Sequence, residues 1–351
     1  MKKISAIVLI VVFIVSMMLV GTACKTQTAA ETTVAETTAV AETTAAAETT
    51  AAAETTAPAK KLKIAQMNPW VSTPYQPAFI EYSEKKAAEY GAEVTVFDGQ
   101  FDAQKMFDQA QTIIQQKFDG VQIECNDAAS GSKLIKLFND AKIPVVAAVS
   151  GPGTDVSNKD LPYYVAYVGV DTYFEGLYQG QLIVEDANGE EVNVVTIEGN
   201  MSLDASVKRT QGLEDAIKDS PNVKILAQQP ADFDRAKSMS IMENYLSAYP
   251  DIDYVAAHDD PMAVGAIQAI KAANMLDKMK VLGIGGSTDG INAIKSGEMW
   301  ATINHPPEGE GAVSMDVLLR FILNGEKFDE WVKVECPPIT KDNVNEFTPK
   351  W

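Results

Sequence analysis

Few side chains in this sequence could do covalent chemistry. There are two histidines and three cysteines in 351 residues, and neither histidine stands in a nucleophile, base and acid set. A secreted enzyme is therefore disfavoured. The tripeptide His258-Asp259-Asp260 has the residue types of metal ligands, but adjacent residues at a strand end point apart and no second cluster exists. Asp260 before Pro261 reads instead as a helix N-cap followed by Pro at the first helical position, which leaves Asp259 to face a cleft. Gly283, Gly285 and Gly286 hold part of a dinucleotide loop without its full spacing. Cys125 ends a strand-like run as a buried apolar residue, and Cys336 precedes Pro337-Pro338 in a loop; a bridge between them stays open. Tyr75 and Phe233 each lie in polar stretches beside Pro or Asp, where an aromatic is either a ligand platform or a core residue. Arg209 either meets a ligand or pairs at the surface with Glu214 or Asp215.

The remaining cysteine has a separate chemistry. Met1-Lys2-Lys3 precedes an apolar run from Ile4 to Val20, and Gly21-Thr22-Ala23 supplies small residues before Cys24. Residues 1–23 read as a lipoprotein signal peptide, with the Cys24 thiol available to a lipid; a retained signal anchor is the competing reading. Both place the protein outside the cytoplasmic membrane, anchored at the cell surface or in a periplasm. Residues 24–61 are nearly all Ala, Thr and Glu, with Ala-Glu-Thr-Thr beginning at Ala30, Ala35, Ala41, Ala47 and Ala53. Nothing large is present to bury, so this segment is a tether; paired β-branched Thr and Pro58 oppose a single helix.

Charge excludes one class of partner. Lys and Arg total 29 against 48 Asp and Glu, a net of −19, and the charges of residues 1–61 cancel, so the rest of the chain carries all of it. Nucleic acid, which rewards cations that neutralise phosphates, is not expected to bind.

The elements that must position these residues alternate. Short apolar runs at 62–67, 92–97, 120–125, 144–149, 192–197, 223–227, 254–257 and 281–284 read as buried parallel strands. Between them apolar residues recur at helical spacing, as in Phe79, Tyr82 and Tyr90, or Met239, Met242, Leu246 and Tyr249. Asn188-Gly189 marks a helix stop. A series of 290 residues exceeds one usual core, so the expected fold is α/β with two doubly wound lobes facing each other across a cleft. In such sheets ligands sit beyond the carboxyl ends of the strands.

The stretch Ala227-Gln-Gln-Pro-Ala-Asp-Phe-Asp-Arg235, with Ala256-Ala-His-Asp-Asp260, Met262-Ala-Val-Gly-Ala266, Val281-Leu-Gly-Ile-Gly285, Thr288-Asp-Gly290 and Ala301-Thr-Ile-Asn304, resembles the ribose-type periplasmic sugar-binding proteins from Leu62 to about Val344. The resemblance implies two Rossmann-like lobes joined by three crossovers, the type I periplasmic binding fold. The amino lobe would hold 62–170 and 305–331, and the other lobe 171–304 and 332–351. It also implies a sugar or polyol clamped between the lobes and delivered to the permease of an ABC importer, with a sensor signalling to a membrane kinase or chemoreceptor as the alternative. A monomer without cofactor or metal is expected.

Residue by residue, the resemblance puts Tyr75 and Phe233 at sugar-stacking positions, Gln76 where a second aromatic is usual, and Arg209 at the hydroxyl-binding arginine. Asp259 stands at an amide or carboxylate position, and His305 replaces a polar residue at the last crossover. Two departures alter the clamp: Val149-Ser150 stands for an expected Asp-Arg pair, and Gly285 for an expected Asp. Asn68, Trp70 and Glu124 are the expected replacement contacts, and Ser150 is expected at the ligand as well. The chemistry suits a sugar, because Asp and Arg can each engage two neighbouring hydroxyls and aromatic rings pack on CH faces. An unmade buried hydrogen bond costs about 1–3 kcal/mol, so losing the Asp-Arg pair should change specificity.

Overall fold

The computed structural model describes residues 61–153 and 156–351; Cys24, the signal segment and the Ala-Glu-Thr-Thr repeats lie outside them. Strands and helices alternate. The first series is β1 (Lys63–Asn68), α1 (Tyr75–Glu89), β2 (Glu93–Asp98), α2 (Ala103–Gln115), β3 (Gly120–Ile123), α3 (Ala128–Asp140), β4 (Val145–Ala148) and β5 (Tyr164–Gly169). The second is α4 (Thr172–Ala187), β6 (Val192–Glu198), α5 (Asp204–Ile217), β7 (Val223–Pro230), α6 (Arg235–Ala248), β8 (Tyr254–Ala257), α7 (Asp260–Ala272), β9 (Lys280–Gly285), α8 (Thr288–Ser296) and β10 (Ala301–Asn304). The chain ends with α9 (Pro307–Asn324), β11 (Trp331–Lys333) and β12 (Pro338–Thr340).

Two six-stranded sheets result, in the orders β11-β5-β4-β3-β1-β2 and β12-β10-β9-β8-β6-β7. All pairings are parallel except β12 against β10. The chain passes between sheets after β5, after β10 and after β11. Because β11 pairs with β5 through Trp331 and Val168's neighbour Tyr167, the third crossing follows Lys333, beyond the expected boundary at 331.

Alternation along each strand splits the apolar residues between two faces. In the first sheet Ala65, Met67, Val145 and Ala147 face one core with Ile113 and Phe138, while Ile64, Val146 and Val168 face another under Leu318. In the second, Val195, Val255 and Val281 pack with Met242 and Ile267, while Val194, Tyr254 and Leu282 pack with Leu213. Acidic residues do structural work at the helix starts: Asp102, Asp127, Asp171 and Asp234 each accept an amide hydrogen of the first turn. Asn188, left-handed at φ 47°, ends α4 as the Asn-Gly pair suggested.

One expectation is corrected here, and one question left open by the sequence is answered. The cap of α7 is Asp259, whose Oδ1 accepts the Met262 amide at 2.7 Å. Asp260 is fully buried instead, accepting from Thr302 Oγ1 at 2.5 Å and the Ser287 amide at 2.7 Å. That carboxylate also explains the glycine run: a Cβ on Gly283 or Gly290 would come within 2.3 or 2.2 Å of its oxygens. The glycines thus wrap a buried acid rather than a phosphate. Cys125 and Cys336 are both buried free thiols, so no bridge joins them.

Candidate functional site

The carboxyl ends of both sheets supply the site, as the topology requires. A cavity of about 90 Å³ is lined by Trp70 after β1, Tyr75 and Gln76 at the start of α1, Glu124 after β3, and Val149 and Ser150 after β4. From the second sheet come Leu203, Ala205, Arg209, Phe233, Asp259, Ile284, Gly285 and the crossover residue His305, with Trp351 completing the wall. Nine of the ten ligand residues expected from sequence, Glu124 among them, therefore meet at one place. Asn68 does not reach it. Its Nδ2 donates to Gln76 Oε1 at 2.6 Å, and Gln76 Nε2 donates in turn to Glu124 Oε2 at 2.6 Å, so Asn68 orients Gln76 from behind.

Arg209 makes neither of the surface pairs weighed from sequence. Buried on α5, it donates from Nε to Glu175 Oε2 at 2.7 Å and from Nη1 to the His258 carbonyl at 2.9 Å. The approach is possible because α4 and α5 touch through glycines: a Cβ on Gly176 would stand 1.9 Å from the Arg209 carbonyl oxygen. Two of its five N–H groups are consumed by these bonds, and Arg209 lines the cavity. His258 accepts the Gly199 amide on Nδ1 at 3.1 Å, and burial then Arg209 hold it neutral, with its pKa lowered to about 3.

His305 binds both lobes. Nδ1 donates to Glu175 Oε1 at 2.6 Å, and Nε2 lies 3.0 Å from Glu310 Oε2 on α9. Burial disfavours the charge, but Glu310 and Glu175 outweigh it and raise its pKa to about 10, so the ring is an imidazolium at neutral pH. With both nitrogens protonated, Arg209 Nη2 at 3.3 Å from Nδ1 is a close approach of two cations, offset by Glu175 between them. Tyr75 hydrogen-bonds Glu310 through its hydroxyl and stands edge-on to His305 at 5.2 Å.

The remaining acids are tuned towards neutrality. Burial pushes Glu124 up to about 8, Glu310 adding to this against the Gln76 hydrogen bond. Burial pushes Asp259 up to about 7, Asp260 adding to this against the Met262 amide. Its cap bond occupies Oδ1 and leaves Oδ2 available. Two walls are held in left-handed backbone, Val149 at φ 62° and Phe233 at φ 60°. Trp70 stacks on Phe101 at 3.8 Å. The site can therefore offer aromatic faces, a fixed guanidinium and near-neutral carboxyls to a small polar molecule, beside an imidazolium whose two N–H groups are held by Glu175 and Glu310.

Glu175, Glu310 and Trp351 were not singled out from sequence. The two glutamates sit in first turns of helices and read there as ordinary dipole partners, and Trp351 belongs to no periodic element.

Comparison with known proteins gives a consistent picture. The family model for the periplasmic binding protein domain matches residues 64–327. A ribose import binding protein of Salmonella typhimurium is 31% identical over 274 residues, covering 77% of this chain and 89% of its own. A galactofuranose-binding protein of Escherichia coli is 30% identical, covering 72% and 79%. An ABC transporter solute-binding protein of Bacillus halodurans, solved with bound myo-inositol, superposes with a TM-score of 0.76 at 27% identity, covering 83% and 98%.

Proposed function

Because this chain belongs to the periplasmic binding protein domain family, whose members are non-enzymatic solute-binding proteins of type I fold, we propose that it captures a single sugar or cyclitol between its lobes for an ABC importer. The observation that carries this reading is the composition of the cavity: Tyr75, Gln76 and Ser150 come from one sheet's ends and Arg209, Phe233 and Asp259 from the other's. Only a ligand touching both lobes can shift an equilibrium between open and closed forms. The relatives bind, by name, ribose, galactofuranose and myo-inositol, which share adjacent hydroxyls on a compact ring. Arg209 and Asp259 would take the hydroxyls, and Tyr75 and Phe233 the CH faces, while His305, with both nitrogens engaged by Glu175 and Glu310, would hold Arg209's surroundings in place. Cys24 would carry the lipid that holds the protein at the membrane, outside the cytoplasm.

A thermal-shift panel of pentoses, hexoses, deoxysugars and cyclitols on residues 62–351 tests the ligand class. A ligand at 1,000 times its Kd should add roughly 4 kcal/mol of stability. Silence across the panel would remove the reading. On the full chain recovered from membranes, an intact mass that includes acyl groups on Cys24 is expected, and an unmodified thiol would remove the anchor.

A further inference from the structure

The acids around the cavity are not equally provided with cations. Glu175 has two, Arg209 at 2.7 Å and His305 at 2.6 Å, and Glu310 shares His305 at 3.0 Å. Asp259 engages one oxygen with the Met262 amide at the start of α7, where the helix dipole favours a negative charge. Glu124 has neither. It stands just after β3 on the cavity wall, only 3% exposed, and no Lys, Arg or His among the described residues forms an ion pair with it.

Its surroundings point donors at it without supplying a charge. Asn68 Nδ2 donates to Gln76 Oε1 and Gln76 Nε2 to Glu124 Oε2, each at 2.6 Å, while Oε1 has no partner among the described residues. The Glu310 carboxylate on α9 opposes ionisation of Glu124, and the His305 imidazolium favours it but is already held between Glu175 and Glu310. Tyr75 and Cys125, whose protons burial holds on, stay neutral. Burial, with no cation to offset it, is what keeps the Glu124 proton in place at pH 7. The same cavity holds a second unmet group, since Trp70 Nε1 is buried with no partner in the protein and calls for a ligand oxygen. Aromatic faces of Trp70, Tyr75 and Phe233 line it too, and such faces attract an ammonium more strongly once it has left water. A neutral hydroxyl can satisfy Trp70 but brings no charge, so Glu124 would keep its proton beside it. An ammonium lets Glu124 ionise, and a charge-assisted hydrogen bond then forms in place of a neutral one.

Resting on the function proposed above, we infer that Glu124 is a specificity-determining residue whose carboxylate pairs with an amino group of the ligand, so that the preferred solute is an amino sugar or an aminocyclitol. Calorimetry on the full chain at neutral pH tests this with matched sets: D-glucosamine, D-galactosamine, 3-amino-3-deoxy-D-ribose and 1-amino-1-deoxy-myo-inositol, each against its hydroxyl parent and its N-acetyl derivative. At least one amine should bind about tenfold tighter than both, the margin of a charge-assisted over a neutral hydrogen bond. Its binding should release up to about one proton, read from the heat in buffers of different ionisation enthalpy, and its advantage over the parent should grow from about pH 5.5 to about pH 7 as ionising Glu124 becomes easier. Glu124→Gln, which keeps the shape and cannot ionise, should bring the ratio of amine to parent close to one and remove its pH dependence. A melting temperature shows that this variant is folded, and the wild-type comparisons decide the matter if it is not. A wild-type preference for the parents or the N-acetyl derivatives, an amine preference without proton release, or one that folded Glu124→Gln retains, overturns the inference alone. Absence of any binder among amines, parents and derivatives overturns the functional reading on which it rests.

Discussion

Val149 shows at the scale of one residue how the cavity shapes its own wall. A β-branched side chain at φ 62° is uncommon, because Cβ crowds the neighbouring carbonyl, and such strain costs about 1–3 kcal/mol. The conformation persists because the Val149 carbonyl accepts the Tyr167 hydroxyl at 2.9 Å, while Ser150 turns back to donate its amide to Ala148 at 2.7 Å. Val149→Asn, which tolerates left-handed backbone, is expected to stabilise the free protein by about 1 kcal/mol, raising its melting temperature by roughly 2 °C, while lowering affinity for any ligand that packs on Val149. Scanning calorimetry on the two proteins checks it, and an unchanged or lower melting temperature would show that the backbone is not strained. Legibility at this scale followed the local pattern. Phe233 between two aspartates and Arg209 three residues before Gly212 are visible in a short window, and both line the cavity. The partner of Arg209 is Glu175, 34 residues earlier, and that of His305 is the same Glu175, 130 residues away. No spacing rule connects such pairs, since a helix packed on a helix brings them together.

Elements were readable where they were long or buried on both faces. The eight apolar runs correspond to β1 to β4 and β6 to β9. β5 follows β4 without a helix between them, and so falls outside the alternating rhythm, while β11 and β12 have three residues each, too few to show a period. The contact that places Arg209 also belongs to this scale. α4 and α5 pack closely enough that a Cβ on Gly176 would strike the Arg209 backbone and one on Gly212 would come 2.0 Å from the Tyr173 carbonyl oxygen. Backbone cannot yield as a flexible side chain does, so Gly176→Ala must push the helices apart. The expected cost is about 1–3 kcal/mol of stability, together with weaker ligand binding as Arg209 moves away from His258 and Asp259. Chemical denaturation and calorimetry on the same variant test both effects. Full affinity in a destabilised Gly176→Ala would mean that the helix contact supports the fold without setting the site.

The whole molecule is tied together where the chain passes between sheets. At the first crossing the Val170 amide donates to Glu310 Oε1 at 3.1 Å, and at the second His305 joins Glu310 to Glu175. The third brings Cys336 against Val170, Ile284 and Ile303. An imidazolium between two carboxylates from different lobes couples the hinge to pH, and the sign follows from the direction of each shift. His305, raised to about 10, contributes stability that is complete below its ordinary value of 6.5 and is lost as pH climbs through 10. Glu124 and Asp259, raised to about 8 and about 7, cost increasing stability as pH rises from the ordinary carboxyl range up to those values. Glu175 resists burial and is held low by Arg209 and then His305, so its contribution is present above 4.5 and fades only in acid. These terms, with His258 lowered to about 3 pulling the other way up to its ordinary 6.5, place maximal stability of the ligand-free protein near pH 4 to 5, with a decline on the order of 10 kcal/mol by pH 10. His305→Gln, which cannot carry the charge, should be less stable at pH 6 and should lose much of the slope between pH 8 and 10. Denaturant titrations of both proteins from pH 5 to 10 read this directly: a wild-type stability that rises over that range, or an equal slope in His305→Gln, would mean that the imidazolium does not hold the lobes together.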